Sequence, residues 1–364
     1  MNSPARTDRF QRVSDLCCYQ VDPTQDPRWA KFVERHPKAS VFHTVGWLEA
    51  LRRTYGYEPV AFTTSPPNED LRNGLVFCRI NSWLTGRRLV SLPFSDHCEP
   101  LCDSADDEDF LIRSLQAALR GQNWKYLELR PTHGDFAQTG NGVLFLPAAI
   151  YFLHRLDLRP DLKCVFRSLD KDSVQRRIQR AERAGLIEKC GRSEDLLKQF
   201  YALVVITRRR HSLPPVPYAW FQNLIACQDK ALEIRLAYKD KIPIAAILTL
   251  RFRDVTYYKY GCSDLRFNKF GAIPWLLWRA IASGKSNGAK EFDMGRTEES
   301  SGGLLTFKNH WVHHPERLVY WKYPDSAVRN AFDRWRLEVA KRIFSRMPDR
   351  LLTAAGRLIY RHIG

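Results

Sequence analysis

The run Lys125-Tyr-Leu-Glu-Leu-x-x-Thr132 recurs late in the chain as Lys290-Glu-Phe-Asp-Met-x-x-Thr297. Each reads as a short strand carrying an acidic residue between apolar ones. What precedes each copy is also alike. In the first half a helix over Val45–Tyr55 leads into strand-like runs at Tyr57–Thr63, Gly74–Asn81 and Arg87–Leu92. A second helix starts at Asp106–Asp109, where acidic side chains suit the helix dipole, and runs to Arg120. In the second half helices at Leu196–Arg210 and Pro217–Cys227 precede strands at Leu232–Tyr238, Ile242–Arg251 and Val255–Tyr260. A helix opening at Gly271-Ala-Ile-Pro274 follows, with proline in the first turn where its missing N–H costs nothing. Helix, three strands, helix, strand thus occurs twice. The pattern predicts an internally duplicated α/β (α+β) chain, each half a mixed sheet flanked by helices. The halves are placed at 1–149 and 150–325, with a basic helical tail at 326–364.

Composition narrows the function classes. Hydrophobic residues make up 44% of the chain and aromatics 12%, enough for packed cores and too much for low-complexity disorder. A net charge of +17 favours acidic partners: nucleic acid, anionic lipid or phosphorylated substrates. Nine cysteines without a Cys-x-x-Cys pair argue against a disulfide framework or zinc module and fit a reducing cytosol. His97, Cys98 and Cys102 lack the second ligand pair that zinc needs. The N-terminus has no apolar signal core, and the longest apolar run, Ile242–Leu250, is too short to span a bilayer. A cytoplasmic protein is expected. In the tail, Phe332, Trp335, Val339, Ile343 and Met347 share one helical face among arginines. Such a segment either packs its stripe on the body or lies on the inner face of a membrane.

No Ser-His-Asp order, Walker loop, Rossmann fingerprint or HExxH motif is present. Cys262 is assigned to structure, because little near it would lower a thiol pKa. The chemistry concentrates in Tyr257–Trp311. There a strand, a loop and a helix N-terminus follow one another, an arrangement whose free N–H groups bind anions. Arg266, Lys269, Gly271 and Ala272 form that turn. Lys308 follows Phe307 near its end, and Arg208–Arg210 close a helix just before Pro214-Pro215.

The turn resembles the phosphate loop of the N-acetyltransferase (GNAT) fold, with Lys269 at one glycine position. The whole stretch resembles the FemAB-like aminoacyl and acyl transferases more closely. The matching residues are Tyr258-x-Tyr260-Gly261-x-Ser263, Gly271-Ala272-Ile273-Pro274-Trp275, Glu291–Gly295 and Phe307-Lys308. A weaker likeness extends from about Val41 to Trp321. The group contains peptidoglycan bridge-forming aminoacyltransferases and envelope polysaccharide acyltransferases.

The resemblance implies two tandem GNAT-like domains and direct attack of an amine on an activated acyl group. It implies that Lys308 stabilises the oxyanion. It implies that Arg210, from Thr207-x-x-Arg210, contacts phosphates of the acceptor, with Tyr260 and Phe307 also binding substrate. Arg52 falls near the position of an acceptor-binding lysine. Asp96 or His97, in the loop Pro93–His97, would take the proton of the amine. Arg266, Lys269, Gly271 and Ala272 would hold a cofactor phosphate. The implied donor is acyl-CoA or an aminoacyl-tRNA, and the acceptor a phosphate-bearing cell-envelope precursor. His310-Trp311-Val312 stands where the family has Gly-Phe-Gly, and Ser168–Gly185 reads as one basic helix in place of a helical hairpin arm. The alternative is a non-catalytic module that binds RNA or anionic membrane, which a steep salt dependence would reveal.

Overall fold

The computed structural model describes residues 17–121, 124–134, 136–137, 145–324, 343–344 and 346–364. A single twelve-stranded sheet runs through both halves. Its strands are β1 (Tyr19–Val21), β2 (Glu58–Thr63), β3 (Leu75–Ser82), β4 (Gly86–Val90), β5 (Tyr126–Leu129) and β6 (Leu146–Asp157). They continue as β7 (Ile187–Gly191), β8 (Leu232–Lys239), β9 (Ile242–Phe252), β10 (Val255–Ser263), β11 (Glu291–Glu298) and β12 (Glu316–Tyr323). The order is β1-β2-β3-β4-β5-β12-β6-β11-β10-β9-β8-β7. Read outward from the central β12–β6 pair, the two sides are equivalent. β4 runs parallel to β5 and β10 to β11, and every other pair is antiparallel.

The repeated sequence run occupies equivalent places, β5 and β11. β6 leaves the first half to pair with β11, and β12 returns to pair with β5. This exchange joins the halves through backbone hydrogen bonds. Residue 150, the expected boundary, falls inside β6.

The helices are α1 (Pro27–Arg35), α2 (Val45–Tyr55), α3 (Ala105–Gly121), α4 (Leu162–Ser168), α5 (Arg176–Arg183), α6 (Glu194–Arg210), α7 (Tyr218–Gln228), α8 (Ala272–Ser286), α9 (Gly302–Asn309) and α10 (Asp349–Ile363). The Thr44 side chain caps α2 by accepting from Trp47 N. Asp240 and Lys241 form the tight β8–β9 turn, both at positive φ. The single basic helix expected over Ser168–Gly185 is present as one run, Lys171–Arg183, with its first turn wound as a π turn. Asp170 accepts from Ser173 N and starts a π turn, Lys171–Gln175, which leads into α5.

One sheet face carries a core shared by both halves. Trp47 of α2, Phe200 of α6 and Trp220 of α7 lie in it with Ile80, Leu236 and Leu248. The Trp47 and Trp220 rings meet edge to face at 5.3 Å and tie α2 to α7. Such a pair contributes about 0.5–1.5 kcal/mol beyond its buried area. The opposite face carries separate cores, one under α3 and one under α5 and α8. α10 packs on the shared face. Leu352 and Tyr360 are buried, Tyr57 Oη donates to Tyr360 O at 3.0 Å, and Arg209 ion-pairs with Asp349. Phe332, Trp335 and Val339 of the expected tail stripe lie outside the described residues. No helix among the described residues is long and apolar enough to cross a membrane.

Candidate active site

β10 and β11 pair only through Val255–Tyr257 and Glu291–Asp293. Beyond that point both strands carry a bulge, at Tyr258–Tyr260 and at Asp293–Arg296. A bulge adds a residue, bends its strand and re-aims the side chains that follow. Tyr257 and Tyr260 therefore face the shared core, while Tyr258 faces the opposite one. Gly261 lies under the Tyr258 hydroxyl, which would be 1.9 Å from any Cβ there. Gly295 supplies the second bulge with φ of 70°. The parted strands open a cavity of about 820 Å3.

Lys308 lines this cavity from α9, at 4% exposure. Its Nζ donates to Gly295 O at 2.9 Å and Arg296 O at 3.0 Å, so one of its three N–H bonds is left for the cavity. Burial pulls its pKa down to about 8, against the opposing pull of Asp96 and Asp293. The Pro93–His97 loop delivers Asp96 from the first half. Asp96 Oδ2 accepts from Lys259 Nζ at 2.7 Å, and Oδ1 lies 4.0 Å from Arg296 Nε. Burial pushes the Asp96 carboxyl up, but Lys259 and Arg296 outweigh it and hold it below the usual range. Asp96 is the one carboxylate lining the cavity among the described residues. His97 turns away: its Nε2 meets Asp293 Oδ2 at 3.0 Å, and Asp293 Oδ1 accepts from Gly295 N at 2.6 Å.

Residues 170–309 match the model of a family described as an acetyltransferase (GNAT) domain. Residues 170–309 thus form a GNAT domain, and the whole chain has the fold of the following solved structures. FemX has the same fold at 12% identity and a TM-score of 0.61, over 85% of this chain and 97% of that one. L-PGS from Bacillus licheniformis matches at 15% identity and 0.54, over 88% and 98%. A tandem GNAT protein from the clavulanic acid biosynthesis pathway matches at 8% identity and 0.51, over 85% and 98%. No curated protein matches the sequence.

The chain gathers Lys308, Asp96, Arg210, Tyr260 and Phe307 around this one cavity. Arg210 closes α6, whose end is pinned to β10 by Ser263 N donating to Thr207 Oγ1 at 2.9 Å. Tyr260 Oη accepts from Trp220 Nε1 at 2.8 Å. Arg52 is not part of this group. It ion-pairs with Asp22 at 2.6 Å and lines a separate hollow beside β2.

Arg266, Lys269, Gly271 and Ala272 lie at the turn into α8, outside the cavity lining. That turn uses much of its own donor capacity. Arg266 N donates to Asp264 Oδ1, Phe267 N to Asp264 O and Gly271 N to Asn268 O. Arg177 O sits where a Cβ on Gly271 would be 2.5 Å away.

Sequence reasoning passed over Lys259, Arg296 and Arg208 as members of the site. Lys259 is held over the rings of Phe42 and Trp47, and Arg296 over Tyr151 and Tyr320. The available signal was a cation inside a strand within two residues of a glycine, in Tyr258-Lys259-Tyr260-Gly261 and Gly295-Arg296. Cys262 is buried and its thiol is pushed up by burial, as a structural thiol would be.

Proposed function

We propose that the enzyme transfers an aminoacyl or acyl group from an activated ester to the amine of a phosphate-bearing cell-envelope precursor. The observation that carries this reading is Lys308, held on two backbone carbonyls with a free N–H toward the cavity. The amine nitrogen attacks the carbonyl carbon, a C–N bond forms, and the carbonyl π pair moves onto oxygen. The Lys308 ammonium stabilises that oxyanion more than the neutral carbonyl, which lowers the barrier.

Asp96 accepts the ammonium proton of the adduct, directly or through water. It is a weak base, yet an ammonium on a tetrahedral carbon is far more acidic than a free one. Collapse breaks the acyl–oxygen bond, and the leaving oxygen takes up the proton that Asp96 accepted. Arg208 and Arg210 line the cavity, and their planar forks would grip the phosphate.

An aminoacyl-tRNA donor is favoured over acyl-CoA. The turn before α8 spends N–H groups on itself that a pyrophosphate would need. The net charge of +17 suits RNA. Two proteins that share the fold are named as lysylphosphatidylglycerol synthetases, or are described as L-PGS, which fits aminoacyl transfer to a phosphate-bearing acceptor. The enzyme would work in the cytoplasm at the inner face of the membrane.

The test is amide formation with charged tRNA or acyl-CoA as donor, in the native enzyme and in Lys308→Ala. Turnover with charged tRNA should fall about 100-fold or more in the variant. Turnover with acyl-CoA alone would reassign the donor. Unchanged turnover in Lys308→Ala would rule out the oxyanion role.

A further inference from the structure

A second cavity, of about 630 Å3, lies on the same sheet face as the shared core, over β4, β5, β12 and β6. Arg88 on β4, Arg130 just after β5, Lys322 on β12 and Arg296 on β11 line it. Among the described residues Glu128 is the single side-chain carboxylate in the lining, and the terminal carboxyl group of Gly364 lies there too. Glu128 is already shared, at 2.7 Å from Arg130 and 3.3 Å from Lys322. Arg88 is 2% exposed, and no side-chain carboxylate pairs with it among the described residues. Its Nη2 donates to the carbonyl oxygen of His362 and to a carboxyl oxygen of Gly364, each at 2.8 Å, which leaves the four cations in excess of two counter-charges.

Cations buried in excess of their counter-charges are costly, and an anion in the cavity would relieve that cost. Arginine forks beside a lysine suit phosphate oxygens. The volume suits a headgroup-sized ligand.

We infer that this cavity binds the phosphate of a phosphate-bearing ligand, and that Arg296 is the point where that ligand meets the transfer site. Arg296 is the residue that lines both cavities. The anion site stands on the charge pattern alone, and its use by a substrate rests on the transfer proposed above. Two cationic cavities meeting at one arginine suit a reaction whose two substrates both carry phosphate.

The rim is apolar. Ile363 lines the cavity at 52% exposure, and the exposed Trp83 meets the ring of His362, another lining residue, at 5.4 Å. Leu84 is exposed beside Trp83. Such a rim suits a phosphate carried on a lipid, although a soluble phosphate presents the same oxygens.

The experiment uses the whole chain without any turnover. Pyrophosphate is titrated by melting temperature, and flotation is measured with phosphatidylglycerol-containing and pure phosphatidylcholine vesicles. Three variants are compared. Of the two cavities, Lys322→Glu and Ala149→Phe change this one, the first in charge and the second by filling it. Arg210→Gln changes only the other. Either probe should bind, with affinity reduced on the order of tenfold or more in both Lys322→Glu and Ala149→Phe and retained in Arg210→Gln. Binding confined to phosphatidylglycerol vesicles, with the same variant pattern, supports a lipid-borne phosphate. Pyrophosphate binding with that pattern supports a soluble one. Binding indifferent to Lys322→Glu and Ala149→Phe, or lost only in Arg210→Gln, overturns the proposal, as does no binding of either probe. Because no acyl transfer is read, failure here is distinct from failure of the transferase reading.

Discussion

Lys308 Nζ reaches the carbonyl oxygen of Gly295 at 2.9 Å, so the buried ammonium is held by the bulge that opens the cavity. Such a placement serves chemistry at the expense of stability, because a buried cation held by carbonyls alone is poorly compensated. Lys308→Met should melt at the same or a higher temperature than the native chain, by up to about 2 kcal/mol of added stability. Its turnover should fall about 100-fold or more. Thermal unfolding and initial rates on the same samples check both halves of this expectation. A variant that loses both stability and turnover would make Lys308 a structural residue.

The lowered pKa of Lys308, about 8, gives a signed pH dependence. An oxyanion stabiliser must be protonated, so turnover should fall as pH rises through about 8. A general base must be neutral, and would give the opposite slope. Stability moves the other way from turnover. The unfolded lysine binds its proton to higher pH than the folded one, so the native chain gains stability from about 8 upward relative to Lys308→Met. A pH–rate profile at saturating substrate, with unfolding curves for both proteins at each pH, separates these outcomes.

The duplication was legible because β5 and β11 hold equivalent places and so repeat the same apolar–acidic alternation. Lys308 was legible only through its pairing with Phe307, since a lone lysine on a short helix says nothing of its burial. The roles of Lys259 and Arg296 were hidden for a different reason. Both follow from bulges, and a bulge inverts the alternation on which strand reading depends. The start of the expected basic helix at Lys171 turned on one side-chain cap, Asp170 to Ser173. The strand exchange of β6 and β12 is a pairing of distant segments, which local sequence does not encode.

Gly295 should resist substitution. Its φ of 70° disfavours any side chain, and a Cβ would lie 3.2 Å from the Asp96 carboxyl. Gly295→Ala should cost about 1–2 kcal/mol from the left-handed backbone alone. Because Gly295 O also holds Lys308, turnover should drop by more than the loss of folded protein explains. Urea unfolding gives the first quantity, and rates corrected for the folded fraction give the second. Gly46→Ala is a useful control. It also crowds a backbone carbonyl, Cys227 O at 2.5 Å, but lies at the α2–α7 contact away from the cavity.

Asp96 and Lys259 form a buried pair at 2.7 Å, in which breaking one side should hurt more than removing both. Asp96→Asn leaves the Lys259 ammonium without its counter-charge and should cost about 3–5 kcal/mol. Lys259 already rests over the rings of Phe42 and Trp47, so a methionine there would find apolar neighbours. The double variant Asp96→Asn, Lys259→Met should therefore recover much of the loss, with a coupling energy of about 1–3 kcal/mol in a double-mutant cycle. The pH sign follows from the lowered Asp96 carboxyl. Its contribution is present above the ordinary aspartate range and is lost as pH falls through the folded value, so the native chain should lose stability in acid faster than the double variant does. Additive single-variant losses, or parallel acid titrations of the two proteins, would show that the pair does not act as a unit.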